Sequence, residues 1–309
     1  MSEHRAGYVG LIGRPNVGKS TLLNRVLGLK VAATADKPQT TRNRIAGIYN
    51  APDLQVVMVD TPGIHKPRSR LNKAMVRAAM DVMQEVDLLV WLLDAAELVS
   101  NARNERTVLT GGDAWIAEQI EQSGKPVVLA LNKVDRVENR WLLPVLEACA
   151  TRLPKATMVP ISALHGKGVD ELLGVLAKQL PVHPPLFPPD QLLEHDERFV
   201  VAEIIREKVV RLTDKELPYV TAVEIEQFEE EEREGERAFV IIHARIIVER
   251  SSQKGIIIGK RGAMIKLIGT QARQDVQRIL GAGVHLELFV AVEPDWTRNP
   301  RILHELGYE

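Results

Sequence analysis

The stretch Gly13-Arg14-Pro15-Asn16-Val17-Gly18-Lys19-Ser20-Thr21 lies between an apolar run, Tyr8 to Ile12, and a segment of helical period. Its Gly13, Gly18, Lys19 and Ser20 satisfy G-x-x-x-x-G-K-[ST]. Glycine lets a backbone fold closely round a phosphate. The N–H groups of the loop, from Gly13 through Asn16 and Val17 to Thr21, can then point inward, and the positive end of the following helix reinforces them. Lys19 would bridge the outer phosphates of a nucleotide, and the Ser20 hydroxyl would ligate Mg²⁺. A chance glycine-rich turn of this pattern is expected in on the order of one chain in a hundred, and its placement between strand and helix weakens that account further.

Up to residue 180 the chain alternates short apolar runs with helix-period segments, the pattern of an α/β domain with a mostly parallel sheet and helices on both faces. The runs are Tyr8 to Ile12, Leu54 to Val59, Leu88 to Leu93, Val127 to Leu131 and Met158 to Ile161. In such folds ligands gather at the carboxyl ends of the strands, and two further motifs stand there. Asp60-Thr61-Pro62-Gly63 gives D-x-x-G: the Asp60 carboxylate can hold Mg²⁺ through water, and the Gly63 N–H can reach a terminal phosphate. Asn132-Lys133-Val134-Asp135 gives N-K-x-D, in which an ionised Asp135 accepts from the ring N–H and the exocyclic amino group of guanine. Adenine offers no such donor pair, so the wrong base would leave buried groups unpaired. A lone N-K-x-D is often an ordinary polar turn. Its weight here comes from its place after an apolar run and downstream of the other two motifs, which together predict a P-loop, Mg²⁺-dependent GTPase domain.

With these three motifs the chain resembles the translation-factor-related GTPases, and the resemblance implies further positions. Pro38-Gln39-Thr40-Thr41-Arg42 looks like the first switch loop, in which a threonine hydroxyl completes the Mg²⁺ shell; Thr41 is favoured over Thr40. Ser162-Ala163 looks like the loop whose backbone N–H recognises the guanine carbonyl, on the strength of its position after the last run. Two departures bear on hydrolysis. Ile64 follows D-x-x-G where the best-known small GTPases carry a water-orienting Gln, and a hydrophobic side chain cannot hydrogen-bond the attacking water. Catalysis then falls to Lys19, Thr41, Gly63 and the loop itself. Asn16 resembles the Asn that, in related GTPases, helps hold a monovalent cation against the phosphates, so K⁺ joins Mg²⁺ as a candidate cofactor. His65 is placed to tempt as a base, but a surface His is the better reading.

Five prolines fall in the nine residues from Pro181 to Pro189, too few backbone donors for helix or sheet. Residues 181–195 therefore read as a linker between a GTPase domain, 1–180, and a second domain, 196–309. Beyond the linker the pattern predicts a helix over Arg198 to Arg211, strands over Tyr219 to Phe228 and Phe239 to Glu249, a short helix, a longer helix from Met264, and a closing strand, Leu286 to Val292. Val240, Ile242, Ala244, Ile246 and Val248 would share one strand face; Ile265, Ile268, Ala272, Val276 and Ile279 would share one helix face. Gly259-Lys260-Arg261-Gly262 gives G-x-x-G. With 21 glycines the bare pattern arises about once by chance. Its context is more telling: an aliphatic turn before it, an amphipathic helix after it, basic central residues, and an element order that fits a type II KH domain. In KH domains this loop clamps a single-stranded nucleic-acid backbone. Lys260 and Arg261, on Gly259 and Gly262, would meet phosphates, with Lys254 and Lys266 flanking.

Composition frames these readings. The 309 residues suit two domains, with 45% hydrophobic and 26% charged residues in ordinary globular proportion. The net charge of -1 conceals an asymmetry: Arg250 to Arg278 holds seven Lys or Arg against Asp275, while Glu224 to Glu236 holds eight Glu against Arg233. The first suits a polyanion; the second reads best as a solvated hairpin turn. A single cysteine, Cys149, excludes an intramolecular disulfide and a cysteine metal cluster. No run approaches the roughly 18 apolar residues of a membrane span, so a cytoplasmic protein is expected, at most peripheral at the membrane. One GTPase domain, the proline segment and the KH-like end together closely resemble the Era family of bacterial ribosome-assembly GTPases. That resemblance takes in Pro38 to Arg42, Asp60 to Lys66, Ala202 to Lys208 and Asp295-Trp296. It implies GTP and GDP as ligands, binding near the 3′ end of small-subunit ribosomal RNA, action on the small ribosomal subunit, and a monomeric state. A nucleotide-bound scaffold without turnover is the competing reading that Ile64 keeps open.

Overall fold

The computed structural model describes residues 3–34, 42, 44–64, 70–104, 107–194, 196–214, 217–231 and 238–306. The chain divides into two compact units. The first comprises Met1–Gly28, Asn43–Pro67 and Met75–Glu194; the second comprises Leu29–Arg42, Arg68–Ala74 and His195–Glu309.

The first unit runs β1 (Arg5–Ile12), α1 (Lys19–Leu27), β2 (Ile45–Ala51), β3 (Leu54–Asp60), α2 (Arg70–Glu85, from Met75 onward), β4 (Leu88–Asp94), α3 (Ala95–Arg103), α4 (Gly111–Ser123), β5 (Val127–Asn132), α5 (Leu142–Arg152), β6 (Thr157–Pro160) and α6 (Val169–Gln179). Its six-stranded sheet has the order β2-β3-β1-β4-β5-β6, parallel throughout except for the antiparallel β2–β3 pair. All seven residues of β3 and the first six of β4 are buried, as expected of strands covered on both faces. All five apolar runs are strands. The sixth strand, β2, is absent from the sequence reading. Its IAGIYNA carries Gly47, Asn50 and two alanines, poor strand formers. A Cβ on Gly47 would meet the Leu27 and Leu23 side chains, the latter at 2.9 Å, so packing of α1 requires the residue that weakens the strand signal.

The proline-rich segment lies along this unit instead of hanging free. Proline lacks an N–H but keeps its carbonyl, and the segment uses both facts. Ala6 N–H donates to the Pro181 carbonyl (3.3 Å), and Asn50 Nδ2 donates to that of Pro189 (3.0 Å). The Oε1 of the buried Gln55 side chain accepts from the Leu186 and Phe187 N–H groups (2.6 and 3.0 Å). On the β2 edge, Ile48 N–H donates to Leu192 O (2.9 Å) and Glu194 N–H to Ala46 O (3.1 Å). The boundary between the units falls at Glu194/His195.

The second unit contains α7 (Glu197–Leu212), α8 (Leu217–Val220), β7 (Ala222–Glu231), β8 (Phe239–Val248), α9 (Ser251–Ile258), α10 (Ala263–Leu280), β9 (Gly283–Val292) and α11 (Pro300–Glu305). β8 pairs antiparallel with β7 and parallel with β9. The predicted order of helix, strand, strand, short helix, helix, strand is present. Tyr219 and Val220 close the short helix α8 where the strand was expected to start, and α11 was not anticipated. Val240, Ile242, Ala244, Ile246 and Val248 are all buried, as are Ile268, Ala272 and Val276 of α10.

Candidate functional site

The phosphate loop joins β1 to α1 at the carboxyl edge of the sheet. Gly13 and Gly18 have φ of 152° and 104°, and Asn16 has φ of 63°. A Cβ on Gly13 would stand 2.6 Å from the Leu92 carbonyl oxygen, and one on Gly18 would strike the Asn132 side chain. Only glycine fits either place. Lys19 is 6% exposed, and its ammonium donates to the carbonyls of Gly13 (3.1 Å) and Arg14 (3.0 Å). Burial lowers its pKa to about 8, opposed by the nearby Asp60 carboxylate.

Asp60 ends β3 and is fully buried; the Ser20 hydroxyl donates to its Oδ2 at 2.6 Å. This pair of hard oxygen donors beside the loop fits Mg²⁺, which favours oxygen ligands. Gly63 sits against the loop: a Cβ there would be 2.6 Å from both N and Cα of Pro15. Ile64 N–H donates to Gly13 O (3.1 Å), while its side chain is fully buried in the hydrophobic core. The apolar residue at this position is therefore a core residue. Thr40, Thr41 and His65 lie outside the described residues.

The Asn132–Asp135 motif is wired to the Gly13–Thr21 loop. Asn132 Nδ2 donates to Val17 O (2.7 Å), and its Oδ1 accepts from Ala163 N–H (2.9 Å), so one amide ties two loops together. Lys133, at φ 65°, donates to Asn16 O (2.7 Å) and pairs with Asp94 at 2.6 Å. The Asp135 carboxylate accepts from the Ser162 hydroxyl at 2.5 Å, and this bond holds its pKa below the usual carboxylate range. Gly13 to Thr21, Asp60, Gly63, Asn132, Lys133, Asp135, Ser162 and Ala163 thus come from loops at one edge of the sheet. Two supports were missed. Asp94 caps α3 through Ala96 N–H (3.0 Å) while its other oxygen holds Lys133; an acid directly after an apolar run and before a helix was the available signal. Arg25 donates to the Ala163 and Leu164 carbonyls, a contact no local pattern announces.

In the second unit, Gly259, Arg261 and Gly262 all have positive φ (71°, 53° and 78°). Lys260, Arg261 and Lys266 are exposed, and Lys254 is half-buried. Ile257 is fully buried, whereas Ile256 is 48% exposed beside the loop. Arg42, from the expected switch segment, is buried here: its guanidinium donates to the Thr221 and Pro218 carbonyls (both 2.7 Å) and lies 5.9 Å from the Trp296 ring centroid. Gly259 has φ 71° and ψ 175°, a conformation nearly restricted to glycine, and a Cβ there would be 2.7 Å from Met264 Cβ. Gly259→Ala should therefore destabilise the unit by about 2 kcal/mol. Gly255, inside α9 with no atom within 4 Å of a Cβ, should accept alanine with no loss. Thermal unfolding of the two variants checks the contrast.

A profile of the 50S ribosome-binding GTPase family matches residues 8–133, and a KH-domain profile matches residues 216–297. GTPase Era of Geobacter metallireducens is 52% identical over 311 residues, covering 100% of both chains. Aquifex aeolicus Era bound to GDP and aluminium fluoride superposes with a TM-score of 0.91 at 38% identity, covering 98% of this chain and 99% of that one. An Era complex with MgGDPNP and nucleotides 1506–1542 of 16S ribosomal RNA gives the same TM-score and identity, covering 99% of each. By sequence over its full described length and by the architecture of both units, this chain belongs to the Era family of GTPases.

Proposed function

We propose that the chain binds GTP at the loop edge of the first unit, hydrolyses it with Mg²⁺, and uses the nucleotide state to govern binding of the second unit to the 3′ region of small-subunit ribosomal RNA during assembly of that subunit. The observation that carries the nucleotide half is the Asn132 amide, which couples the phosphate loop at Val17 to the base loop at Ala163. The Era complex with 16S nucleotides 1506–1542 supports the RNA half. In this reading the phosphates rest on the N–H groups from Gly13 to Thr21 and on Lys19. Asp135 and Ala163 hold guanine, with Lys133 bracing Asn16. Ser20, Asp60 and Thr41 would hold Mg²⁺, which supplies Lewis-acid neutralisation of the phosphate oxygens when bound. Gly63 would donate to the terminal phosphate. Residues 1–180, with the proline-rich segment lying along them to Glu194, form the GTPase domain, and 196–309 the RNA-binding domain. No helix of the described residues is long and apolar enough to cross a membrane, and a cytoplasmic site of action is proposed.

With Ile64 buried, no side chain at that position positions water, and the Asn16 turn is the proposed seat of a potassium ion that adds positive charge to the loop. Phosphate release should be several-fold faster in potassium than in sodium buffer; equal rates would remove the ion from the mechanism. For the RNA half, Lys260 and Arg261 on Gly259 and Gly262 would clamp the backbone, flanked by Lys254 and Lys266. Crosslinking to cellular RNA with GTP or GDP bound should enrich small-subunit ribosomal RNA. Replacing Lys260 and Arg261 by Gln should weaken RNA binding and reduce the slope of log affinity against log salt by roughly 1.5. Enrichment of unrelated messages would sink the assembly role.

A further inference from the structure

The phosphate loop carries a second cation, Arg14, that the nucleotide reading leaves without a role. A guanidinium in this loop could in principle reach toward phosphate as an internal arginine finger. Here it is engaged elsewhere. Its Nη1 donates to Asp113 Oδ2 at 3.1 Å and to Glu97 Oε1. Glu97 and Asp113 occupy the first turns of α3 and α4. Asp113 is 4% exposed, so losing its partner would strand a carboxylate in a poorly solvated place. The Arg14 stem crosses Gly112, where a Cβ would approach its Cδ to 3.2 Å and its Cγ to 3.4 Å. Meanwhile the Arg14 carbonyl is one of the two acceptors of the Lys19 ammonium. The α3 turn that supplies Glu97 is the one capped by Asp94, whose other oxygen holds Lys133.

We infer that Arg14 is a positioning residue for GTP hydrolysis: pinned to Asp113 and Glu97 over the bare face of Gly112, it fixes the backbone carbonyl that aims Lys19 at the outer phosphates. The inference rests on the phosphate-loop reading above and deepens it. The Arg14 side chain acts through Lys19, its guanidinium held away from the nucleotide by Asp113 and Glu97. Charge developing on the phosphates makes the aim of Lys19 matter more in the transition state than in the bound ground state.

The test is steady-state phosphate release from GTP by the full chain in Arg14→Ala, Asp113→Ala, the double variant, Arg14→Lys and Gly112→Val. Each single removal should lower kcat by roughly tenfold to a hundredfold with KM changed less than about threefold. The double variant should lose little more than the worse single, because both break one link. Arg14→Lys should recover part of kcat. Gly112→Val, which displaces the stem while keeping every charge, should reproduce the loss. If Asp113→Ala does not fold, Asp113→Asn takes its place in the cycle. Losses that multiply in the double variant, an unchanged kcat beside a lowered melting temperature, or a loss confined to KM would each overturn the inference. A wild-type chain that releases no phosphate would instead remove the GTPase reading beneath it, an outcome visible in the same assay.

Discussion

Lys19→Ala should lower GTP turnover by roughly 10³-fold, the largest single loss expected in this chain. The side chain is almost wholly inside the protein, and among the described residues its ammonium donates to two carbonyl oxygens, those of Gly13 and Arg14. Such a group is held for an anion that arrives later. Burial has lowered its pKa from 10.5 to about 8, so the unfolded chain keeps this proton to a higher pH than the folded one. The nucleotide-free protein therefore gains stability as pH rises from about 8 toward 10.5, and alanine, which removes the desolvated charge, should leave its melting temperature at neutral pH unchanged or raised. Nucleotide binding has the opposite sign. Phosphate favours the charged lysine, binding takes up a proton above pH 8, and GDP affinity should fall as pH rises from 8 to 9, by at most about tenfold. In Lys19→Ala that dependence should vanish. Calorimetric titration of GDP at pH 7, 8 and 9 separates the two proteins; parallel pH profiles would mean that Lys19 does not sense the phosphates.

What could be read in the sequence was whatever the chain keeps contiguous. The loop from Gly13 to Thr21, Asp60 to Gly63 and Asn132 to Asp135 are each complete in a few residues, because their chemistry uses consecutive backbone groups. The links between them are not contiguous. Asn132 reaches Val17 across 115 positions, and Arg14 reaches Asp113 across 99. Neither partner choice leaves a mark in local pattern. Ile64 was legible as a missing hydrogen-bonding group but not as a core residue, since one apolar residue after a turn has no periodicity to place it. Composition reads Pro181 to Pro189 as a linker without helix or sheet but leaves its hydrogen bonds unread: prolines remove donors, yet Pro181 and Pro189 still accept, and His183, Leu186 and Phe187 supply donors between them. Arg42 shows the same limit: the resemblance sets it in the first switch segment, and no local pattern marks that its guanidinium is buried against Pro218, Thr221 and Trp296.

Asp135→Asn should reverse the choice of base, weakening GDP by roughly 10³-fold and making XDP the better ligand. Ionised Asp135 presents only acceptors, and guanine presents two donors on its Watson–Crick edge. Xanthine carries a carbonyl where guanine carries the amino group. Asparagine offers an N–H₂ donor there and keeps one acceptor for the ring N–H, so the altered pair is again matched. The surroundings favour this exchange over collapse of the site. The Ser162 hydroxyl that now donates to the carboxylate at 2.5 Å can rotate to donate to the amide oxygen instead, fixing the amide with its nitrogen toward the base. The carboxylate is held ionised mainly by that same hydrogen bond, so guanine binding by the native chain should not weaken until pH falls well below the usual carboxylate range. Asn132, which braces both loops through Val17 and Ala163, is untouched, and the phosphate contacts should survive. Turnover of XTP by Asp135→Asn should therefore approach that of GTP by the native chain. Competition binding of GDP and XDP measures the exchange. Undiminished preference for GDP would place guanine against some other acceptor, whereas loss of both nucleotides would mean that Asp135 holds the loop together and does not read the base.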